Sequence, residues 1–205
     1  MDSGKKKSVQ NMNPDSRPTP AERLTALVEG ADALMSALSA ARALNLDAWC
    51  IGAGAVRSLV WDSLHGTDYR LADGDVDVVY FDADAHPEQD AAFEARLRSL
   101  MPALRWEVTN QAHVHRWSAK LLGQAIAPFA CLEDGIATWP EFATCVGVYL
   151  NADVSIGIIA PHGLDDLFHL RVRHNPATAS LATYRRRVRS KRFAERWPKL
   201  SINDA

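Results

Sequence analysis

The sequence has little of what marks a secreted, zinc-binding or membrane protein. Only 3 cysteines occur among 205 residues, namely Cys50, Cys131 and Cys145, and none belongs to a Cys-x-x-Cys pair. An odd count without a secretory signal predicts reduced thiols and does not support a zinc ribbon. The polar first residues lack the apolar segment of a signal peptide, and no run approaches the ~20 apolar residues of a membrane helix. We therefore expect a cytoplasmic protein.

A large net charge is also absent. The chain has 23 Lys and Arg against 25 Asp and Glu, which gives a formal charge of -2, so its overall field does not indicate DNA or membrane binding. Apolar residues make up 47%, and this length suits one hydrophobic core. Residues 1–18 are polar and contain prolines, and we predict that they form a disordered leader. A single domain is expected over residues 19–205.

The hydrophobic pattern predicts mixed strands and helices. Thr19, Pro20 and Glu22 form a capping-box helix start, and apolar residues continue at helical spacing to Leu38. Runs rich in β-formers predict strands over residues 48–51, 76–81, 105–109, 145–150 and 154–159. Helical patterns also begin at Gly54, Pro87, Gly163 and, for a basic terminal helix, Tyr184. We expect an α/β (α+β) fold, in which helices flank a mixed β-sheet, and a largely loop-like segment over residues 110–133.

Asp75 and Asp77 form the first candidate site. They flank Val76 at the start of a predicted strand, and residues two apart in a strand point to the same side. Two such carboxylates repel each other unless a divalent cation lies between them, and ligation by oxygen alone favours Mg²⁺ or Mn²⁺ over zinc. The alternative is a solvated strand entry, because Asp-x-Asp is a short and common motif.

Glu107 is the third candidate acid. It lies between Trp106 and Val108 on the next predicted strand, so its side chain should face away from the core. It would complete a three-carboxylate cluster if this strand lies beside the first. A surface acid on an edge strand is the alternative, and the two interpretations remain open.

A turn of small residues, Gly52, Ala53 and Gly54, precedes a predicted helix. A phosphate can approach the backbone there, where the helix presents free N–H groups and the positive end of its dipole. Tight packing of strand against helix is the alternative use of such residues. Arg57 stands where a dinucleotide fingerprint needs its third glycine, and the Lys-Ser/Thr ending of a P-loop is missing. Arg57 could contact phosphates or pair with a carboxylate on the helix surface.

Together these motifs resemble a known superfamily. Gly52–Arg57, followed by Asp75–Val78 and a later acid, is similar to the signature of the DNA polymerase β nucleotidyltransferase superfamily. The Gly-Ala-Val-Arg run is similar to the head of CCA-adding enzymes and bacterial poly(A) polymerases. The chain departs from the superfamily in having Ala53-Gly54 where Gly-Gly or Gly-Ser is usual.

A closer resemblance covers roughly residues 22–200. It is to a bacterial family of nucleotidyltransferase-like proteins that was once catalogued as a domain of unknown function. The segments that carry it are Val60–Asp62, Asp75–Asp82, Trp106–Ala112, Thr138–Glu141, Pro161–Phe168 and Trp197–Leu200.

The resemblance implies a metal-dependent nucleotidyltransferase that moves a nucleotidyl group from an NTP, such as ATP, to an acceptor. Asp75 and Asp77 would hold the metal that bridges the triphosphate. Glu107 would complete a second metal site and help to deprotonate the attacking hydroxyl. The nucleotide-binding residues would be Gly52, Ala53, Gly54, Arg57, Asn110 and Gln111. The acceptor stays unknown, and the short chain favours a small molecule or a protein over RNA.

Two other functions remain open. The altered glycine turn suggests a non-catalytic nucleotide binder on the same fold. The basic C-terminal segment suggests an RNA-interaction protein, because Arg185, Arg189, Arg192 and Arg196 would share one helical face. A solvated helix with salt bridges is the alternative for that segment.

Overall fold

A mixed β-sheet organises the chain. The computed structural model describes residues 17–118 and 125–203. Within them, five strands form the main sheet: β1 (Trp49–Gly52), β2 (Asp75–Tyr80), β3 (Arg105–Asn110), β4 (Gly147–Leu150) and β5 (Ile156–Ile159). Their order is β3-β2-β1-β4-β5; β2 and β3 are parallel, and the other neighbours are antiparallel. The expected fold class is confirmed, whereas residues 1–16 of the predicted leader lie outside the described residues.

Helices flank this sheet. They are α1 (Pro20–Glu29), α2 (Asp32–Arg42), α3 (Gly54–His65), α4 (Gln89–Leu100), α5 (Leu132–Ala137), α6 (Asp165–Phe168), α7 (Leu181–Ser190) and α8 (Phe193–Arg196). Short 3₁₀ helices cover Leu71–Asp73, Gln111–Arg116 and Phe142–Thr144. A parallel ribbon of β6 (Arg171–Val172) and β7 (Ser201–Ile202) lies near the C-terminus. Residues 110–133, expected to be largely loop, therefore include a 3₁₀ helix and the start of α5.

The predicted N-terminal helix is in fact two helices. Thr19 caps α1 as expected, and the Glu22 carboxylate accepts a hydrogen bond from the Thr19 N–H at 2.7 Å. α1 ends at Glu29, because the following Gly30 disfavours helix, and α2 leaves at an angle of 89°. Both helices bury apolar residues in the same core, so the apolar spacing continues across the bend. No single helix of the described ranges is long and apolar enough to cross a membrane.

The C-terminal helix also differs from the prediction. α7 begins at Leu181 after the cap Ser180 and ends at Ser190, and Arg192 adopts a left-handed conformation with φ 53°. The basic pattern that starts at Tyr184 predicts one terminal helix up to Trp197, and that prediction of a single helix is therefore wrong. The break also removes the shared face expected for the four arginines, because Arg192 and Arg196 lie beyond it.

The main core lies between the helices and one face of the sheet. Val76 and Val78 of β2 are fully buried on this face. In α3, the ring of Trp61 packs edge-on against Phe193 at 5.5 Å and Trp197 at 5.0 Å. The Trp197 indole N–H donates to Asp62 Oδ1 at 2.7 Å. These contacts fix the C-terminal segment against the helix that follows the small-residue turn.

We predict that Trp197→Ala destabilises the protein by about 3–5 kcal/mol, because it removes a fully buried indole and leaves a cavity. Urea unfolding followed by circular dichroism measures this change. Trp117→Ala is the matched control, since Trp117 is 37% exposed, and it should cost less than about 1 kcal/mol. Equal effects of the two substitutions would show that the C-terminal segment does not pack as described.

Candidate functional site

The register of the strands sets the geometry of the site. Asp77 lies opposite Glu107 on β3 and opposite Gly52 on β1. Two residues earlier, Asp75 lies opposite Arg105. Opposed residues of neighbouring strands point to the same face of a sheet, here the face away from the main core. The structure therefore brings Asp75, Asp77 and Glu107 together at the end of the sheet where β2 and β3 begin.

A cavity of about 630 Å³ lies over this face. The three acids line it, and so do four of the predicted nucleotide-binding residues: Ala53, Gly54, Arg57 and Gln111. The sheet also contributes Val79 and Thr109 to the lining. Two tryptophans, Trp117 and Trp139, line the cavity as well. Acids from the sheet and groups from the start of α3 thus face the same cavity.

Two predicted residues, Gly52 and Asn110, lie outside the described lining of this cavity. A Cβ at Gly52 would be 2.6 Å from the Trp139 ring, so glycine makes room for that indole. Asn110 is fully buried. Its Oδ1 accepts from the N–H groups of Asp82 and Ala112 at 3.1 Å each, and its Nδ2 donates to the Asp82 carbonyl at 2.6 Å. Both residues therefore support groups near the site and do not themselves line the cavity.

Asp77 lies where its charge is disfavoured. Burial, together with the nearby Glu107 and Asp75, raises the pKa of its carboxyl to about 6, against the opposing effect of Arg187 and Lys191. Among the described residues we find no hydrogen bond to its carboxylate. A divalent cation would relieve the repulsion that raises this pKa, and an oxygen-only donor set suits Mg²⁺ or Mn²⁺. The residues present therefore fit such an ion.

The three acids do not form a ready-made cage. In the part of the chain that the structure describes, no group of three His, Cys, Asp or Glu side chains could hold a metal ion as it stands. Asp75 is instead paired with cations: Arg105 Nε donates to its Oδ1 at 3.0 Å, and Lys191 Nζ lies 3.8 Å from its Oδ2. A metal ion that used Asp75 would therefore compete with these two cations.

The start of α3 is strained and uncapped. Ala53 has φ 48° and ψ -114° and provides no side-chain cap; positive φ is a region that favours glycine. A Cβ at the next residue, Gly54, would lie 3.7 Å from Arg57 Nη2 and 4.0 Å from Asp77 Oδ2. The turn therefore lies between a guanidinium and an acid, with the free N–H groups of the first helical turn beside the cavity.

Arg57 is buried rather than on the helix surface. It is 3% exposed, and its guanidinium lies over the rings of Phe193, Trp61 and Trp197 at 4.8, 5.2 and 5.6 Å. Its Nε and Nη1 are buried without a hydrogen-bond partner among the residues described. Burial lowers its pKa to about 10, against the opposing influence of Glu141. An anion in the cavity would stabilise such a guanidinium, whereas the expected alternative of a surface ion pair is wrong.

Sequence reasoning missed the cationic wall of the cavity. Arg187, Lys191, Arg192 and Arg196 line it from the C-terminal segment, and Arg105 lines it from β3. Arg187 Nε donates at 2.8 Å to the fully buried Glu141, which fixes α7 at the cavity. These partners are 46 residues apart, and the local sequence contains no signal for their contact.

The chain matches a nucleotidyltransferase family over residues 39–202. Because this match covers most of the sequence, the chain belongs to that family. It is also similar to a protein whose NMR structure reveals a CCA-adding enzyme head domain. The two are 27% identical with a TM-score of 0.77, and the likeness covers 89% of this chain and 95% of the other.

Longer CCA-adding enzymes share the fold. A complex of a CCA-adding enzyme with CTP is 16% identical with a TM-score of 0.54. The Thermotoga maritima CCA-adding enzyme complexed with tRNA is 17% identical with a TM-score of 0.51. In both cases the likeness covers 88% of this chain but only 42% of the other, so it shows the fold of one part of those enzymes. No curated protein matches the sequence.

We predict that Asp77→Asn stabilises the metal-free protein at pH 7.5 by roughly 1–3 kcal/mol. Because the pKa is raised, the folded chain binds more protons than the unfolded chain between about pH 4 and pH 6. The contribution of Asp77 to stability therefore falls as the pH rises through that window. Asp77→Asn removes this pH-dependent loss of stability. The difference in the free energy of unfolding between the variant and the wild type should therefore disappear near pH 4.

Chemical unfolding in EDTA at pH 7.5 and pH 4 measures both values. Asp68→Asn, an exposed acid in the loop before β2, is the control and should change stability little at either pH. A destabilising effect of Asp77→Asn at pH 7.5 would contradict the described environment of Asp77.

We predict that Ala53→Gly raises the free energy of unfolding by about 1 kcal/mol, because relief of the positive φ outweighs the added backbone entropy of glycine. Ala55→Gly, two residues further in regular helix, is the matched control and should lower it by at least about 0.5–1 kcal/mol. Thermal unfolding distinguishes the two signs. A loss of stability in both variants would show that Ala53 is not strained.

Proposed function

We propose that the chain transfers a nucleotidyl group from an NTP to an acceptor hydroxyl, with Mg²⁺ or Mn²⁺ held by Asp75, Asp77 and Glu107. The observation that carries this proposal is the register of β2 and β3. It puts three carboxylates on the same face of the sheet, in the cavity that the start of α3 also lines. Membership of a nucleotidyltransferase family and the likeness to a CCA-adding enzyme head domain support NTP-dependent transfer.

The triphosphate would lie between the acids and the cations of the cavity. The first turn of α3 offers free N–H groups beside Gly54. Arg57 offers two desolvated guanidinium nitrogens, Nε and Nη1, which have no hydrogen-bond partner among the described residues, and guanidinium N–H groups bind phosphate oxygens well. The bound cation would neutralise charge on the triphosphate and polarise the reacting phosphate. This chain's own contribution is therefore to hold the triphosphate in one orientation.

In this proposal, Glu107 would take the proton of the acceptor. It is exposed, lines the cavity and lies opposite Asp77 on the edge strand β3. In the proposed step, the acceptor oxygen loses its proton to Glu107 and forms a bond to the α-phosphorus. The bond from that phosphorus to the β-phosphate oxygen breaks, and pyrophosphate leaves. Positioning and charge stabilisation provide most of the catalysis in such reactions.

Other observations bear on the binding of the nucleotide base and on the acceptor. Trp117 and Trp139 line the cavity, and an aromatic face stacks any base. Complexes of CCA-adding enzymes with CTP and with ATP show NTP binding in proteins of this fold. One such enzyme binds tRNA; the acceptor of this shorter chain is proposed only as a hydroxyl of a small molecule, a protein or RNA.

A non-catalytic nucleotide binder is the second candidate. The observation in its favour is that both oxygens of Asp75 are paired with cations and no ready three-acid site exists in the described structure. NTP binding without pyrophosphate release in the presence of acceptors would distinguish this function from transfer.

We predict that the protein binds at least one of ATP, GTP, CTP and UTP with micromolar affinity in Mg²⁺, and that Asp75→Asn/Asp77→Asn abolishes this binding. The paired carboxylates are expected to be needed for the metal that neutralises the triphosphate. Calorimetric titration measures it, with Asp68→Asn as a folded control that keeps wild-type affinity. If the folded wild-type protein binds none of the four NTPs, the proposed function is wrong.

A further inference from the structure

Asp75 differs from the other two acids in having a cation at each oxygen. The Nε–Oδ1 bond to Arg105 is 3.0 Å, and the Nζ–Oδ2 distance to Lys191 is 3.8 Å. The two cations come from different elements, since Arg105 begins β3 and Lys191 follows the end of α7. Asp75 therefore links the sheet to the C-terminal segment through these two ion pairs.

Both cations can leave Asp75 at low cost. The side chains of Arg105 and Lys191 are 63% and 43% exposed, and that of Asp75 is 35% exposed. Ion pairs of such exposure are weak. Arg105 has one further hydrogen bond, from Nη2 to the Asp73 carbonyl at 3.2 Å, and this exposed bond also breaks when the guanidinium moves to a phosphate.

The same pairs oppose a bare metal ion. A divalent cation that used Asp75 would have to displace Arg105 and Lys191 or lie beside both positive charges, which repel it. A triphosphate changes this balance, because its negative charge enters the same cavity and offers new partners to both side chains.

We propose that Arg105 and Lys191 form a latch on Asp75 that opens when a metal–triphosphate complex binds, with both cations then transferring from the carboxylate to the phosphates. This inference rests on the proposed function. It deepens that function by predicting that metal and triphosphate bind to the protein together rather than in sequence. The latch weakens the binding of a free divalent ion and makes the triphosphate the partner that opens it.

The latch predicts opposite effects on two ligands. Arg105→Gln and Lys191→Gln should each tighten the binding of Mn²⁺ alone about two- to fivefold, because a competing charge is removed. The same variants should weaken the binding of tripolyphosphate in the presence of Mn²⁺ about tenfold, because a phosphate-binding charge is lost. A merely structural role of either side chain would weaken both.

Mn²⁺ binding is followed by the electron paramagnetic resonance of the free ion at low ionic strength, and Mn²⁺–tripolyphosphate binding by calorimetry, which avoids any choice of base. Arg98→Gln is the control for Arg105, since Arg98 pairs with Glu94 on α4. Arg189→Gln is the control for Lys191, because Arg189 is an exposed residue of α7 outside the described cavity lining. Both controls should match the wild type with both ligands.

The inference is supported if each of the two variants binds Mn²⁺ alone more tightly and Mn²⁺–tripolyphosphate more weakly than the wild type does. If the wild-type protein binds Mn²⁺–tripolyphosphate but either variant binds Mn²⁺ alone no more tightly than the wild type does, the latch is wrong. The proposed function is then unaffected. A folded wild-type protein that binds neither Mn²⁺ nor Mn²⁺–tripolyphosphate contradicts the proposed function and the latch together.

Discussion

Val76 and Val78 of β2 are fully buried on the face of the sheet that packs against the helices. Their burial determines which side chains of β2 face the cavity. Since strand side chains alternate, a slip of one residue would turn Asp77 into the core. The correct register instead places Asp77 in a row between Glu107 and Gly52. The hydrophobic core of this protein therefore determines the position of its charged site, and the small-residue turn begins where that row ends.

The site combines acids and cations from different parts of the chain. The acids lie on β2 and β3, whereas most of the cations come from α3 and from the C-terminal segment. Two buried contacts hold that segment in place: the Arg187–Glu141 ion pair and the packing of Trp197 on Trp61. Burial of Arg57 Nε and Nη1 without a hydrogen-bond partner in the described ranges, and burial of Asp77 beside other acids, both cost stability. Such costs are typical of residues kept for binding rather than for folding.

The strands and the acids could be predicted from the sequence because alternation and β-rich runs are local patterns. The pairing of Asp77 with Glu107 on neighbouring strands could not, since it depends on the order of strands in the sheet. The inward turn of Arg57 depends on Phe193 and Trp197, which are distant in sequence. The break at Arg192 was also missed, because a left-handed arginine has no local signal comparable to a glycine.

The central claim is that the acids and the start of α3 form one metal–triphosphate site. A crystal structure with Mn²⁺ and a non-hydrolysable NTP, with the metal located by its anomalous scattering, tests it most directly. The account predicts Mn²⁺ bonded to carboxylate oxygens of Asp75 and Asp77, with the triphosphate at Gly54 and Arg57. A triphosphate bound elsewhere, or bound in the cavity with no metal on these acids, would contradict it.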